Sequence, residues 1–483
     1  MRGSRLPGWR AAPCVGIVIP DEGVPGWTDA AFWCALLEAW GVPARRTSTE
    51  ELRSERWTTL VVPAVIVDAR LADELAALDG TALLLAGPGS EEARRLEVRA
   101  RVTRFAPSVD RLEPTTCEAV IDAAEQALAE AASDGIVAVW RWPSGKDAAL
   151  VVDGDVDHPT GVEPECARYV APAIETARRA GFDAYGIFAA AANVHAEPGS
   201  FPPGAEYYNH SYTHPYSYWN EDPWEALDER QMSEELERSN DALRQHLGTD
   251  DQGIFRVPHF QLEACERTYD VLERLGYRAD SSIGANVSIT GGLPFHPARR
   301  AWSGRSAHPA YARTHPDPAG RRPFLQLPIS TDPTDPSFLH GCCSFNTLEE
   351  GVRNRTADPD AYEAVLQQVL DRATARRGLV HLFIDPPDAG FGRLPGDAPD
   401  YASAVERWLA RSVGREDVVV MTTAELTTWW LERERALERL SSRIEGDSLV
   451  VDLPDPPRGL TIATLGPGGP ARWQMVPATA DLG

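Results

Sequence analysis

Ala148-Ala-Leu-Val-Val-Asp-Gly-Asp-Val-Asp157 opens on five apolar residues and closes on three alternating aspartates. An unbroken apolar run of this length suits a strand buried on both faces, as in a parallel sheet covered by helices. Similar short runs follow, with helical patterns between them. Strands are predicted at Tyr185 to Ala189, Ile254 to Val257, Leu379 to Ile384 and Val418 to Met421. Helices are predicted at Cys166 to Ala180, Glu225 to Leu247, Tyr269 to Leu275 and Thr423 to Leu440. The strand–helix alternation predicts a (β/α) barrel over residues 140–440, with functional side chains at the C-terminal ends of its strands. The three aspartates stand at such an end. The Pro-, Gly- and His-rich stretch 285–345 reads as a long insertion or active-site loop.

Upstream, residues 1–135 repeat the alternation on a smaller scale. Strands are expected at Val15 to Ile19, Thr59 to Val62 and Ala82 to Ala86. Helices are expected from Thr28 as cap through Trp40 to a closing Gly41, at Leu71 to Leu78 and at Cys117 to Ala132. This is a small doubly wound α/β domain that resembles flavodoxin-like and class I glutamine-amidotransferase-like domains in topology. No histidine precedes His158, so the domain lacks a Cys/His pair of its own, and a structural or substrate-positioning role is expected. Residues 441–483 alternate as a short β-rich appendage.

The net charge of −25 across 483 residues disfavours nucleic acid and anionic membrane surfaces as partners. No stretch approaches the roughly 20 apolar residues of a membrane span. The seven scattered cysteines include the adjacent Cys342 and Cys343 but no CxxC pair. A disulfide framework is not expected, and the reading is a cytoplasmic protein acting on a small molecule or an oligosaccharide. The sequence says nothing about oligomeric state.

The chemistry rests on two segments. His210-Ser-Tyr-Thr-His214 spaces two imidazoles at i and i+4, which on a helical turn would face one metal ion. Asp153, Asp155 and Asp157 supply carboxylates at a strand end. One carboxylate with two histidines leaves coordination positions open for water and substrate.

With these segments in place, residues 145–435 resemble the NodB-type polysaccharide deacetylases (carbohydrate esterase family 4), which carry five ordered motifs. Asp155-Val-Asp157 resembles the first. His210, Ser211 and His214 match the second, H-[ST]-x-x-H. Arg256-Val-Pro-His259 resembles the third, with His259 at the usual aromatic position. Asp280-Ser-Ser282 resembles the fourth without its trailing Trp. Leu379-Val-His381 matches the fifth. The resemblance implies a deformed barrel and a deacetylase that removes an N-acetyl group. By that match Asp157, His210 and His214 are metal ligands and Asp155 is the general base; Asp153 with Asp155 is the alternative pair. Arg256 would orient the base, His381 would protonate the leaving amine, and Asp280 would hold His381. The implied metal is Zn2+, with Co2+, Ni2+ or Fe2+ suiting the same ligands. The aromatics Tyr207, Tyr208 and Tyr216 to Trp219 are candidates for stacking on a sugar face. A related hydrolase of non-sugar linear or cyclic amides, of allantoinase or imidase type, is the alternative activity. A carbohydrate-binding protein without catalysis is the alternative class.

Overall fold

The computed structural model describes residues 4–7, 14–20, 26–97, 101–107, 114–132, 135–157, 166–215, 224–249, 253–258, 265–282, 309–313, 321–330, 358–384, 386, 401–446, 448–465 and 474–477. His158, His259, the aromatics 216–219, Cys342, Cys343 and most of the 285–345 stretch lie outside them. Among the described residues no helix is long and apolar enough to cross a membrane.

The N-terminal unit is a five-stranded parallel sheet. Its first strand, Val15–Val18, lies between Ala44–Thr47 and Thr59–Pro63, followed by Ala82–Ala86 and Val102–Phe105. Counted within the unit, the spatial order is 2-1-3-4-5, the flavodoxin-type doubly wound order. One face packs on Trp27–Trp40 and Pro114–Ala131, the other on Ala69–Ala76 and Glu91–Leu96. Two strands escaped the sequence reading. Ala44–Thr47 is an edge strand whose Arg45 and Arg46 face solvent, so it carries no apolar run. Val102–Phe105 is the opposite edge, with one fully buried residue. Thr28 is not the helix cap: Gly26 holds that position with φ 90°.

The second unit is a curled, mostly parallel sheet, the deformed (β/α) barrel expected. Its strands run in the spatial order Arg321–Gln326, Ala279–Asp280, Ile254–Phe255, Glu206–Asn209, Tyr185–Ala189, Ala148–Val156 and Leu379–Phe383, with Ala310–Arg313 antiparallel at one end. Val418–Val420 pairs with the first half of Ala148–Val156, below Tyr185–Ala189. The Ser330 N–H donates to the His381 carbonyl at 2.8 Å, bringing the two ends of the sheet together. The long helix Glu229–Leu247 starts at Asp228, whose side chain forms a capping box with Gln231. That D-x-x-Q signal sets the boundary three residues beyond the Glu225 expected from periodicity.

The C-terminal segment is β-rich, but it does not stand alone. Ser441–Glu445 and Ser448–Asp452 form a hairpin extended by Ser4–Pro7. Thr461–Leu465 pairs with Ile136–Val139 and with Gln474–Pro477. The two units are also welded by cations at a helix C-terminus. Arg433 donates to the carbonyls of Ala39 (3.0 Å) and Val139 (3.3 Å), and Arg141 donates to Ala39 O at 3.3 Å. Carbonyls in the last turn of Trp27–Trp40 lack helical partners, so buried guanidinium groups satisfy them. Gly41 is required there: its φ is 71°, and a Cβ would lie 2.1 Å from Val139 O.

Candidate metal centre

Alternation along Ala148–Val156 turns Asp153 and Asp155 to the same, inward face, and Asp157 follows just past the strand. Gly154 between them permits a close approach of the neighbouring strand, since a Cβ there would stand 2.0 Å from Ile384 O. The strand Glu206–Asn209 ends one residue before His210, and Ile254–Phe255 ends one residue before Arg256. Three strands of one sheet thus deliver their chemistry from their C-terminal ends.

The two histidines come together without a helix. Ser211 (φ 67°) and His214 (φ 56°) both adopt the left-handed region, which is costly for non-glycine residues and must be held by surrounding contacts. The contacts are specific. Asn209 Oδ1 accepts from the Ser211 N–H at 2.8 Å, and Ser211 Oγ accepts from the His214 N–H at 3.0 Å. Glu235, from the long helix, accepts from the backbone N–H groups of Tyr212 (2.9 Å) and Thr213 (2.7 Å). The i, i+4 helical geometry expected from the spacing is therefore replaced by a pinned loop. Its pin is distant in sequence, which a local pattern does not reveal.

In this loop the Nε2 atoms of His214 and His210 stand 3.1 and 3.4 Å from Asp157 Oδ1. Among the described residues, Asp157, His210 and His214 form the sole cluster of three side chains that could hold a metal ion. Metal bonds of about 2.0–2.2 Å at tetrahedral angles place neighbouring donor atoms about 3.3–3.5 Å apart. The observed spacing fits one ion. His210 Nδ1 lies 2.8 Å from Arg256 O. An N–H there donating to the carbonyl leaves Nε2 as the lone-pair donor, the orientation a metal ligand requires. Both imidazoles are buried, while the Asp157 side chain is 43% exposed and opens the cluster to solvent. Two nitrogens and a carboxylate oxygen suit Zn2+ and its divalent neighbours.

Beneath the triad lies a charged layer. Arg256 donates through Nη1 to Asp155 Oδ1 at 2.7 Å and through Nη2 to Asp153 Oδ1 at 2.8 Å. Its Nε donates to Ser281 O at 3.1 Å, and the Phe188 ring lies 3.9 Å from the guanidinium carbon. The two carboxylates respond in opposite senses. Burial pushes Asp153 up, but Arg256 and His381 more than reverse this and hold it at about 2. For Asp155 burial outweighs the pull of Arg256 and raises it above the ordinary 3.8. Asp155 Oδ2 also reaches His210 Nε2 at 3.5 Å, so it is the carboxylate that borders the triad without belonging to it.

One expected contact is absent. His381 Nε2 pairs with Asp153 Oδ2 at 2.6 Å, not with Asp280. The backbone of His381 is in register with Val151, and its ring reaches forward to Asp153, which shares Arg256 with Asp155. Asp280 instead accepts from the Ser282 hydroxyl, and its Oδ2 has no hydrogen-bond partner among the described residues. Burial pushes Asp280 up to about 7. A group raised in the folded state stabilises fully below its unfolded value, 3.8, and loses that contribution as pH rises through the folded value. Between pH 5 and pH 8 the native protein is expected to lose about 2–3 kcal/mol more stability than an Asp280→Asn variant. Urea denaturation of both proteins at the two pH values measures this; parallel pH dependences would count against it.

Tyr207 and Tyr208 are buried, with the Tyr207 hydroxyl donating to Pro202 O at 2.7 Å and the Tyr208 ring packed on Phe188. They belong to the core and are not available to stack on a sugar. Thr423, which donates through Oγ1 to Asp153 Oδ2 at 2.9 Å, joins the site without any motif to mark it.

Residues 202–279, which hold both histidines, Arg256 and the strand leading to Asp280, match the family model for polysaccharide deacetylase. Over these residues the chain is similar to polysaccharide deacetylases. Solved structures with a similar trace include three of note. A putative polysaccharide deacetylase from Mycobacterium smegmatis is 17% identical, covers 61% of this chain and 93% of its own, and has a TM-score of 0.42. A CE4 family pseudoenzyme from Bacillus anthracis is 11% identical over 59% and 66% of the two chains, TM-score 0.31. A 4-alpha-glucanotransferase from Thermococcus litoralis is 13% identical over 58% and 40%, TM-score 0.35. No curated protein sequence matches the chain. The family-matched segment contributes two of the three candidate metal donors, and the flanking strand Ala148–Val156 leads directly into the third, Asp157.

Proposed function

We propose that this protein is a metal-dependent hydrolase that removes an acyl group, typically N-acetyl, from an amino-sugar or carbohydrate-like substrate. The observation that carries the reading is an Asp/His/His cluster with single-ion spacing, bordered by a carboxylate that an arginine fixes in place. A bound divalent metal supplies a water of lowered pKa and polarises the acyl carbonyl.

The protein's own groups do the rest. Asp157, His210 and His214 hold the ion. Asp155 takes a proton from the attacking water as its oxygen bonds to the acyl carbon. Breaking the C–N bond leaves a carboxylate and an amine, and the amine nitrogen needs a proton to depart. Asp155, now protonated, is the acid nearest the triad and returns that proton. Arg256 stays ionised throughout and keeps Asp155 aimed.

The test combines metal analysis of the purified protein with mass spectrometry of N-acetyl sugars and cyclic amides for loss of about 42 Da, acetyl replaced by hydrogen. A metal-loaded protein that binds N-acetyl sugars and releases no acetate would overturn the catalytic reading. In the same assay Asp155→Asn is expected to lower kcat by about 10²–10⁴-fold while metal content stays at the native level. Loss of metal in that variant would instead make Asp155 a ligand.

A further inference from the structure

We infer that His381 and Asp153 are positioning residues, which set the Arg256 guanidinium and through it the Asp155 carboxylate, without touching substrate. The inference rests on the hydrolase reading above and concerns how its base is held.

Asp153 and His381 are fully buried. Each oxygen of Asp153 has defined partners. Oδ2 lies 2.6 Å from His381 Nε2 and accepts from Thr423 Oγ1 at 2.9 Å. Oδ1 accepts from Arg256 Nη2 at 2.8 Å. Thr423 is the first residue of a helix whose start is locked by the Thr422/Glu425 capping box. The backbone of His381 is tied as well: its N–H donates to Ser330 Oγ at 3.0 Å. A chain of contacts therefore runs from rigid elements through His381 and Thr423 to Asp153, then Arg256, then Asp155. Every link is a directional hydrogen bond involving an ionised group, the kind that fixes geometry most strongly.

The same chain separates His381 from the chemistry. Asp153 and Arg256 stand between it and Asp155. His381 Nε2 is engaged by Asp153, and its Nδ1 is buried without a hydrogen-bond partner among the described residues. A proton donor to a leaving amine needs to come within hydrogen-bond reach of that nitrogen, whereas His381 Nε2 is held by Asp153, with Arg256 bridging on to Asp155. A ring that instead orders a carboxylate needs only a donor at Nε2.

The two roles predict different substrate dependence. A proton donor matters when the leaving group is a poor one, such as an amine, and is dispensable for 4-nitrophenolate, which departs as the anion. A positioning residue matters equally for both, because water must be activated in either case. A glutamine at 381 can present an amide N–H where Nε2 stands, yet cannot serve as an acid.

The experiment measures kcat and KM for the full-length metal-loaded protein, His381→Gln and His381→Ala, on an N-acetyl sugar and on 4-nitrophenyl acetate, with metal content alongside. Misdirection of the base is expected to lower kcat of the alanine variant about 10²-fold on both substrates, with KM and metal content unchanged. The glutamine variant is expected to recover most of that loss on both. The inference is overturned if both variants keep the native rate on the nitrophenyl ester while both fail on the amide, the signature of a lost acid. Should the native protein hydrolyse neither compound, the hydrolase reading itself has failed. The pairing is then read from the ¹⁵N spectrum of the His381 ring, where a proton on Nε2 is expected and an unprotonated Nε2 would overturn it.

Discussion

His214→Ala is expected to yield a folded protein that no longer retains its metal and loses on the order of 10³-fold in kcat/KM, the rate equivalent of several kcal/mol of transition-state stabilisation. His214 donates Nε2 toward the shared Asp157 oxygen at 3.1 Å, and two donors cannot replace three in holding an ion against buffer. The folding expectation follows from the loop itself. Its shape is held by Asn209, the Ser211 hydroxyl and Glu235, with only the backbone N–H of residue 214 taking part, and alanine keeps that N–H. Elemental analysis after gel filtration, circular dichroism and acetate release on one preparation give the three readings together. Full metal retention by the alanine variant would remove residue 214 from the ligand set.

Arg256→Met should be the most destabilising single change in the barrel interior, at about 3–5 kcal/mol near neutral pH, because it strands two buried carboxylates without their cation. Lysine should not rescue it, since one ammonium cannot reproduce the planar fork that bonds Asp153 and Asp155 at once. The pH dependence carries a sign. In the native protein Asp153 is held at about 2, below its unfolded value, so it stabilises above about pH 4 and that contribution is lost as pH falls through 2. Without Arg256, burial is opposed only by His381 and Thr423, and the carboxyl rises. The gap between native and variant should therefore widen from pH 4.5 to pH 8. Urea unfolding of both at the two values reads it, and a gap that narrows would contradict the assignment of Arg256 as the cation of this layer.

Much of the architecture was legible because the strands are short apolar runs punctuated by helices. Ala82–Ala86 and Tyr185–Ala189 have the very bounds the pattern implies. The candidate triad that the structure brings together was legible for a different reason: its spacing, carboxylate after a strand and H-x-x-x-H after another, is chemistry written locally. The errors share a cause, which is distance along the chain. The sequence leaves Asp153 as half of an alternative base and ligand pair with Asp155, since its partners, His381 and Thr423, lie 228 and 270 residues away. The turn between His210 and His214 was taken for a helix because its pin, Glu235, sits on a later element. Tyr207 and Tyr208 looked like a stacking platform next to the histidines, but they lie on a strand buried on both faces. The edge strand Ala44–Thr47 was invisible because edges tolerate charge.

The hairpin of Ser441–Glu445 and Ser448–Asp452 takes its third strand from residues 4–7, and the strand Thr461–Leu465 after it pairs with 136–139. The molecule is therefore fastened like a belt, its first residues buckled to nearly its last. A fragment trimmed to residues 140–440 would cut this clasp, removing Val137, Val139, Leu449 and Ile462 and so baring Trp142, Ala424 and Trp430 of the same apolar cluster, and stripping Arg433 of the helix end it covers. The catalytic barrel is not an excisable cassette, and the flanking segments belong to its structure.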